Sequence, residues 1–325
     1  MALILNEEQK MLKDSANEFL AMNAPVEQFR SLRDNNYQAF EEELWQEIVE
    51  MGWTALTIPE EYNGLDFGYV GLGQVMEEMG KRLTKAPLFS SIVLAGTALV
   101  HSANQGLKER WIPALMNGTK RLAFAQDEKS YFDPNNTATI ATKTGNEYTL
   151  NGCKKMVIDG AGADGFIVVA KTDEGDLGLF LVDAESEGIT MTTEVVLDAG
   201  TYAQIDFNAV KIDASQRLND VGNGNALLNH INNTAAICLS AEMLGMITEA
   251  FGQTVAYLQE RQQFGKRIGT YQALQHRAAK LFCEIELCKS VVIKALQGLD
   301  NKAENIDQLA SLEISCRCHF PPLIG

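Results

Sequence analysis

Basic residues are scarce in this 325-residue chain: 27 Lys and Arg face 43 Asp and Glu, for a formal net charge of −16. Binding a polyanion such as nucleic acid needs a basic face, so that class of partner is excluded, and any anionic ligand must find a local cluster of cations. Cysteine is sparse too. The six residues, Cys153, Cys238, Cys283, Cys288, Cys316 and Cys318, contain no CxxC pair, which argues against a disulfide framework and for a reduced, cytoplasmic protein. Only seven prolines are present, and hydrophobic content is 46%, which excludes disordered and collagen-like chains. Long apolar runs are also missing. The most apolar stretch, Ile92 to Val100, is broken by Gly96 and Thr97 and falls short of the roughly 18 residues a bilayer span needs, so no span is expected. The opening MALILNEEQK has no basic region ahead of a long apolar core, as a secretory signal would.

What is present divides into helical, β and helical blocks, read as residues 1–120, 121–220 and 221–325. In the first block Asn6 and Gln9 predict a capping box ahead of a stripe of Leu12, Ala16, Phe19 and Leu20. Phe40, Leu44 and Ile48 predict a second helix ended by a left-handed Gly52. Asn63-Gly64 marks a tight turn, Leu72, Val75, Met76 and Met79 another stripe, and further helices are expected near Ser91 to Ser102 and Leu107 to Met116.

Around residue 121 the apolar period drops to 2. Short runs (Leu122 to Ala125, Thr137 to Thr142, Tyr148 to Leu150, Phe166 to Ala170, Leu179 to Val182, Ile205 to Phe207, Lys211-Ile212) predict an antiparallel β barrel or sandwich. The glycines of DGAGADG superficially match a dinucleotide fingerprint, yet a strand and no helix follows them, so they read as a turn. From about residue 224 helical spacing returns in two long segments. One carries Leu227, Leu228, Ile231, Ile237, Leu239 and Leu244; the other carries Ile268, Ala273, Ala279, Leu281, Phe282, Ile285 and Leu287.

Between those segments lies RQQFGKRIGTYQALQHR, residues 261–277. Arg261, Lys266 and Arg267 concentrate positive charge, Gly265 and Gly269 allow close backbone approach, and a helix N-terminus follows, which together suit a pyrophosphate. From charge and glycine alone, an ordinary basic interhelical loop is an equally good account. The run resembles the R-x-Q-F-G signature of acyl-CoA dehydrogenases. IPEEYNGLDFG, EEMGK, ERWIPALMNG, LNGCKKMVIDGAGADGFIVVAKT and IDFNAVKI resemble further segments of that family in the same order, over about residues 1–300.

The resemblance implies a homotetrameric FAD protein of fatty acid metabolism with an N-terminal helical domain, a middle β domain and a C-terminal helical bundle. It implies α,β-dehydrogenation of an acyl-CoA thioester with hydride passed to flavin N5, and electron-transfer flavoprotein as acceptor. Arg261 would contact the FAD diphosphate of a neighbouring subunit, Gln263 and Phe264 would support that dinucleotide, and Gln272 would lie near its ADP half. Ala125, Gln126, Val157 and Ile158 would border the flavin ring.

This sequence departs from the family pattern at specific positions. The T-E-P turn reads Ala125-Gln126-Asp127 and the W-I-T element reads Met156-Val157-Ile158, so a Thr hydroxyl to the flavin is replaced by backbone N–H groups. The catalytic Glu that most members carry in a Y-E-G segment is not found before the chain ends soon after residue 310, and the C-terminal domain is expected to be incomplete. The alternative position of that Glu aligns near Ala235 or Ala236, where no carboxylate stands, and Glu242 and Glu249 are expected on the solvent face. No catalytic residue is therefore assigned, and a non-catalytic partner subunit of a heteromeric complex is the second reading. Cys153 is expected to be buried and inert, His276 to pack, and His101 and His230 to lack a charged constellation. In the tail ASLEISCRCHFPPLIG, helical patterning is expected to stop, and Cys316, Cys318 and His319 are too few to close a tetrahedral metal site.

Overall fold

The computed structural model describes residues 3–35, 39–133, 136–173, 175–196 and 201–318. In chain order it has α1 (Glu7–Asn23), α2 (Val26–Asp34), α3 (Glu42–Glu50), α4 (Tyr69–Arg82), a π-helical stretch (Phe89–Gly96) running into α5 (Thr97–Val100), and α6 (Gln105–Met116). Seven strands follow: β1 (Leu122–Ala125), β2 (Ile140–Thr144), β3 (Glu147–Ile158), β4 (Gly165–Thr172), β5 (Leu177–Asp183), β6 (Ile189–Val195) and β7 (Thr201–Asp213). Then come α7 (Gly224–Glu260), a hairpin of β8 (Gln262–Gln263) and β9 (Lys266–Arg267), α8 (Gln272–Asp300) and α9 (Ile306–Cys318). The helical, β, helical order matches the expectation.

Contacts group these elements into two compact units, one of residues 1–27, 67–84 and 236–325, the other of residues 28–66 and 85–235. In the first, the capping box at α1 forms as predicted, with Gln9 N donating to Asn6 Oδ1 at 2.7 Å and Asn6 N to Gln9 Oε1 at 3.0 Å. Helix α4 buries Leu72, Val75, Met76 and Met79, and with them Glu77 and Glu78, whose carboxylates pair with Lys13 at 2.6 Å and Lys81 at 2.7 Å. Its first turn is capped from far down the chain. Asp300, at the end of α8, accepts from Tyr69 N at 2.5 Å and Val70 N at 3.1 Å. Helices α4 and α7 cross at two glycines: a Cβ on Gly80 would stand 1.9 Å from Glu242 O, and one on Gly245 would stand 1.9 Å from Glu77 O.

Two expectations for this unit change. Helix α7 is long and apolar enough to cross a membrane by length and composition, which the chain-wide scan for apolar runs overlooked. Its Ile237, Cys238, Ala241 and Leu244 are buried within the bundle, as in a core helix. The chain also continues as helix through Cys318 where patterning was expected to stop, because α9 packs on α8 through Leu309 and Ala310. His319 and the two prolines after it lie outside the described residues.

The second unit is built on one seven-stranded sheet, ordered β1-β4-β2-β3-β7-β6 with β5 on β4. It is not wholly antiparallel. Strand β4 runs parallel to both β1 and β2, because β4 inserts between them after the β2-β3 hairpin is made. Strand β6, absent from the sequence reading, pairs with β7. The core is the apolar face of this sheet, including Val157, Phe166, Val168, Phe180, Ala203 and Ile205. The α-helix expected near Ser91 to Ser102 is π-helical over its first half. There the Ser91 hydroxyl donates to Leu122 O at 3.1 Å and accepts from Leu122 N at 3.2 Å, seating the start of β1. Asn63 adopts φ +62° and Gly64 has no room for a Cβ, as the turn signal implied.

Gly80→Ala is expected to lower stability by about 1–3 kcal/mol through overpacking at the helix crossing, read as a lower urea midpoint with unchanged slope.

Candidate functional site

The exit of β1 is clamped to the middle of β3. Lys154 is a fully buried lysine, at 0% exposure, whose ammonium donates to Gln126 O at 2.9 Å and to Glu128 Oε1 at 2.7 Å. One residue on, Lys155 N donates to Asp127 O at 2.7 Å. The Glu128 carboxylate also accepts from Ala138 N, Thr139 N and Thr139 Oγ1, at 2.6–2.9 Å. Burial would raise that carboxyl, but the bonds from Lys154 and Thr139 outweigh it and hold it below the ordinary glutamate range. These bonds bring Ala125-Gln126 beside the strand that carries Val157-Ile158, so the four residues predicted to border one ligand share one locality.

Val157-Ile158 sits between two strained residues. A bulge separates Lys154 from Val157 in the pairing with β7, Met156 there has φ +52°, and Asp159 has φ +54°. Left-handed backbone in a residue such as Met is uncommon, and bulges and strain of this kind gather at functional sites. Asp159 is further held by Ser90 from the π-helical stretch, whose hydroxyl donates at 2.6 Å. Burial pushes the Asp159 carboxyl up to about 6, against opposing contributions from Ser90 and Lys85. Asp127 is likewise raised by burial, with the Asp133 backbone N–H and Lys154 acting the other way. Asp127, Glu128, Lys154, Ser90 and Asp159 were not singled out from sequence. The available signal was an Asp-Glu pair just after one strand and a Lys-Lys pair inside another.

In the helical unit, Arg261, Gln263, Phe264 and Gln272 lie together around the β8-β9 hairpin, all of them exposed. The run between the long helices is thus a hairpin and a short 3-10 turn (Ile268–Thr270), and Ile268, expected in the second helix, precedes it. Gln262 pairs with Arg267 and Gln263 with Lys266, leaving the two-residue turn Phe264-Gly265 with φ +53° and +79°. Both values positive is the pattern of a type I′ turn, which favours Asn-Gly or Gly-Gly. A Phe in the first position is strained, and this one is 90% exposed. Leu239, Phe282 and Leu287, expected inside, are exposed along with Tyr257.

Other residues also move from their expected settings. Cys153 is half-buried, and burial with the nearby Asp206 pushes its thiol up to about 11, which keeps it inert. Glu242 and Glu249 are half-buried, and His276 is exposed because its stretch of α8 has no neighbour within the chain. His101 and His230 are brought together with ring centroids 4.1 Å apart, in a pocket of about 300 Å³ that also holds Asp220, Asn219 and Asn223. Burial and the second ring lower His230 to about 4, so it is neutral at pH 7.

Three family models match in order along the chain: the N-terminal domain of acyl-CoA dehydrogenase on residues 6–119, the middle domain on 124–210 and the C-terminal domain on 222–316. The chain belongs to the acyl-CoA dehydrogenase family. This family binds FAD. Among curated relatives, acyl-CoA dehydrogenase FadE27 of Mycobacterium tuberculosis is 29% identical over 86% of this chain and 71% of its own length. The caffeyl-CoA reductase-Etf complex subunit CarC of Acetobacterium woodii is 27% identical over 95% and 84%. Among solved structures, the ChsE4-ChsE5 complex of Mycobacterium tuberculosis superposes with a TM-score of 0.89 at 25% identity, covering 98% of this chain and 84% of that one.

Asp159 titrates higher in the folded protein than its ordinary value of 3.8. The folded state therefore binds its proton more tightly, and the stability this confers is full below about pH 4 and lost as pH rises through about 6. Asp159→Asn, which keeps the acceptor for Ser90, is expected to remove that fall in chemical-denaturation curves taken between pH 4.5 and 7.5.

Proposed function

We propose that this chain is a subunit of an FAD-dependent enzyme that dehydrogenates an acyl-CoA thioester between its α and β carbons. The observation that carries the reading is the hairpin. An aromatic residue held in a strained turn and left 90% exposed, beside an exposed Arg261, is a costly arrangement that a lone chain does not use. A partner copy and a dinucleotide account for both, with the Arg261 fork on the diphosphate of the neighbouring subunit's FAD and Phe264 packed against the dinucleotide. Tyr257, Phe282 and Leu287 supply further apolar surface for assembly, which supports a homotetramer.

The residues present fit the cofactor. Two buried polar atoms at the predicted ring border, Gln126 Nε2 and Asp127 Oδ1, have no hydrogen-bond partner among the described residues, and a polar heterocycle would satisfy them. When bound, FAD supplies the hydride acceptor. The protein's part is positional: Gln263 and Gln272 hold the nucleotide half, while Ala125, Gln126, Val157 and Ile158 border the ring from a clamped strand pair. Electron-transfer flavoprotein as acceptor draws support from the Etf-complex relative. The described thiols of Cys153, Cys238, Cys283 and Cys288 are free, which suits a reducing cytoplasm.

A second reading is favoured by Ala235 and Ala236, which stand where the family's alternative catalytic Glu aligns, and by likeness to a two-protein complex. The chain would then be a non-catalytic subunit that lends its hairpin to an active homologue.

Purified protein incubated with FAD is expected to turn yellow at fixed stoichiometry and to reduce a dye with at least one acyl-CoA. Arg261→Ala is expected to weaken flavin retention by roughly tenfold to a hundredfold, the worth of charge-assisted phosphate hydrogen bonds. Undiminished retention in that variant would sink the role of Arg261. Flavin-free protein that becomes active only when mixed with a second family member would select the partner reading.

A further inference from the structure

The unpartnered atoms at the exit of β1 are consecutive and immobilised. Gln126 is 8% exposed, and neither its Nε2 nor Asp127 Oδ1 has a hydrogen-bond partner among the described residues. A buried polar group without a partner destabilises a fold, and native proteins keep few of them. Neither residue has a route to water through backbone adjustment. Gln126 O is held by the Lys154 ammonium at 2.9 Å, Asp127 O by Lys155 N at 2.7 Å, and the other Asp127 carboxyl oxygen by the Asp133 N–H. The buried lysine below them is in turn fixed by Glu128. The outcome is a rigid strand end that offers one amide donor and, from the next residue, one carboxyl acceptor.

We propose that Gln126 and Asp127 together read the imide edge of the flavin pyrimidine, Gln126 Nε2 donating to a ring carbonyl and Asp127 Oδ1 accepting the adjacent N3–H. An imide presents a carbonyl oxygen beside an N–H, which is the complement of a donor followed by an acceptor. The assignment rests on the FAD reading above and gives Asp127 a positioning role within it. It also replaces, with side-chain contacts, what the sequence loses where Ala125 and Ile158 stand in place of hydroxyl-bearing residues. An adenine edge also sets an acceptor beside an N–H donor, so the test must separate the two ends of the dinucleotide.

The test uses the full-length protein with FAD, with FAD methylated at flavin N3, and with ADP, followed by equilibrium binding and by the flavin absorption band. The N3-methylated cofactor is expected to bind wild type about tenfold more weakly than FAD. Asp127→Asn, whose carbonyl can keep the Asp133 bond, is expected to bind FAD about tenfold more weakly and to lose the discrimination against the methylated form. Gln126→Met is expected to weaken FAD by a similar factor while leaving the melting temperature of the flavin-free protein unchanged or higher, since an unpaired amide is removed. A merely structural glutamine would lower it. Equal binding of FAD and its N3-methylated form by wild type overturns the proposal while leaving the FAD reading intact. ADP binding that these substitutions weaken, with no discrimination at N3, would move the pair to adenine and overturn the proposal. Failure of wild type to bind any flavin overturns the FAD reading and this proposal with it.

Discussion

A single buried charge organises the sheet unit around its candidate site. The Lys154 ammonium is wholly removed from water, a state too costly unless a carboxylate and further acceptors surround it. Glu128 and the Gln126 carbonyl provide these, and because both lie on the segment leaving β1, satisfying the lysine fixes where that segment runs. The bulge at Met156, the left-handed Asp159 and its bond from Ser90 then set the direction of Val157-Ile158. A pair of this kind is weak as a source of net stability. Its effect is specificity: a one-residue slip of β1 against β3 would strand a charge inside the protein.

The hairpin of the helical unit follows the opposite logic. It is nearly all exposed, positively charged and capped by an aromatic side chain in a turn that disfavours it. Lys266 lies 4.2 Å above the Tyr271 ring, and Ile268 N donates to Arg261 O at 2.9 Å, so the loop is internally ordered without being packed. Order without burial is how a surface is prepared for another molecule, since the entropy of arranging it has been met beforehand.

The alternation of helical and β blocks was legible because period 3.6 and period 2 are easily separated, and because residues such as Asn6 with Gln9 or Asn63 with Gly64 specify local geometry on their own. The hairpin was not, since Gln262-Gln263 and Lys266-Arg267 carry no apolar alternation and pair only through the turn. Parallel pairing of β4 with β1 and β2 was hidden for a related reason: strand order is a property of loops that cross the sheet. Within the candidate site, the ligand-facing segments could be named from resemblance, whereas the Lys154–Glu128 clamp depended on two residues 26 positions apart meeting in a dry interior. His101 and His230 are a comparable case, two unremarkable rings in sequence that share one pocket in space.

The cap that Asp300 places on the first turn of α4 spans 231 positions of sequence. On the ribosome that turn must wait, its N–H groups turned to water, until nearly the whole polypeptide has emerged. Segments 28–66 and 85–235 contain every element of the sheet unit and leave the exit tunnel first. Birth order therefore favours a nascent chain in which strands are already paired while the amino-terminal helices still await the carboxy-terminal ones that complete their bundle.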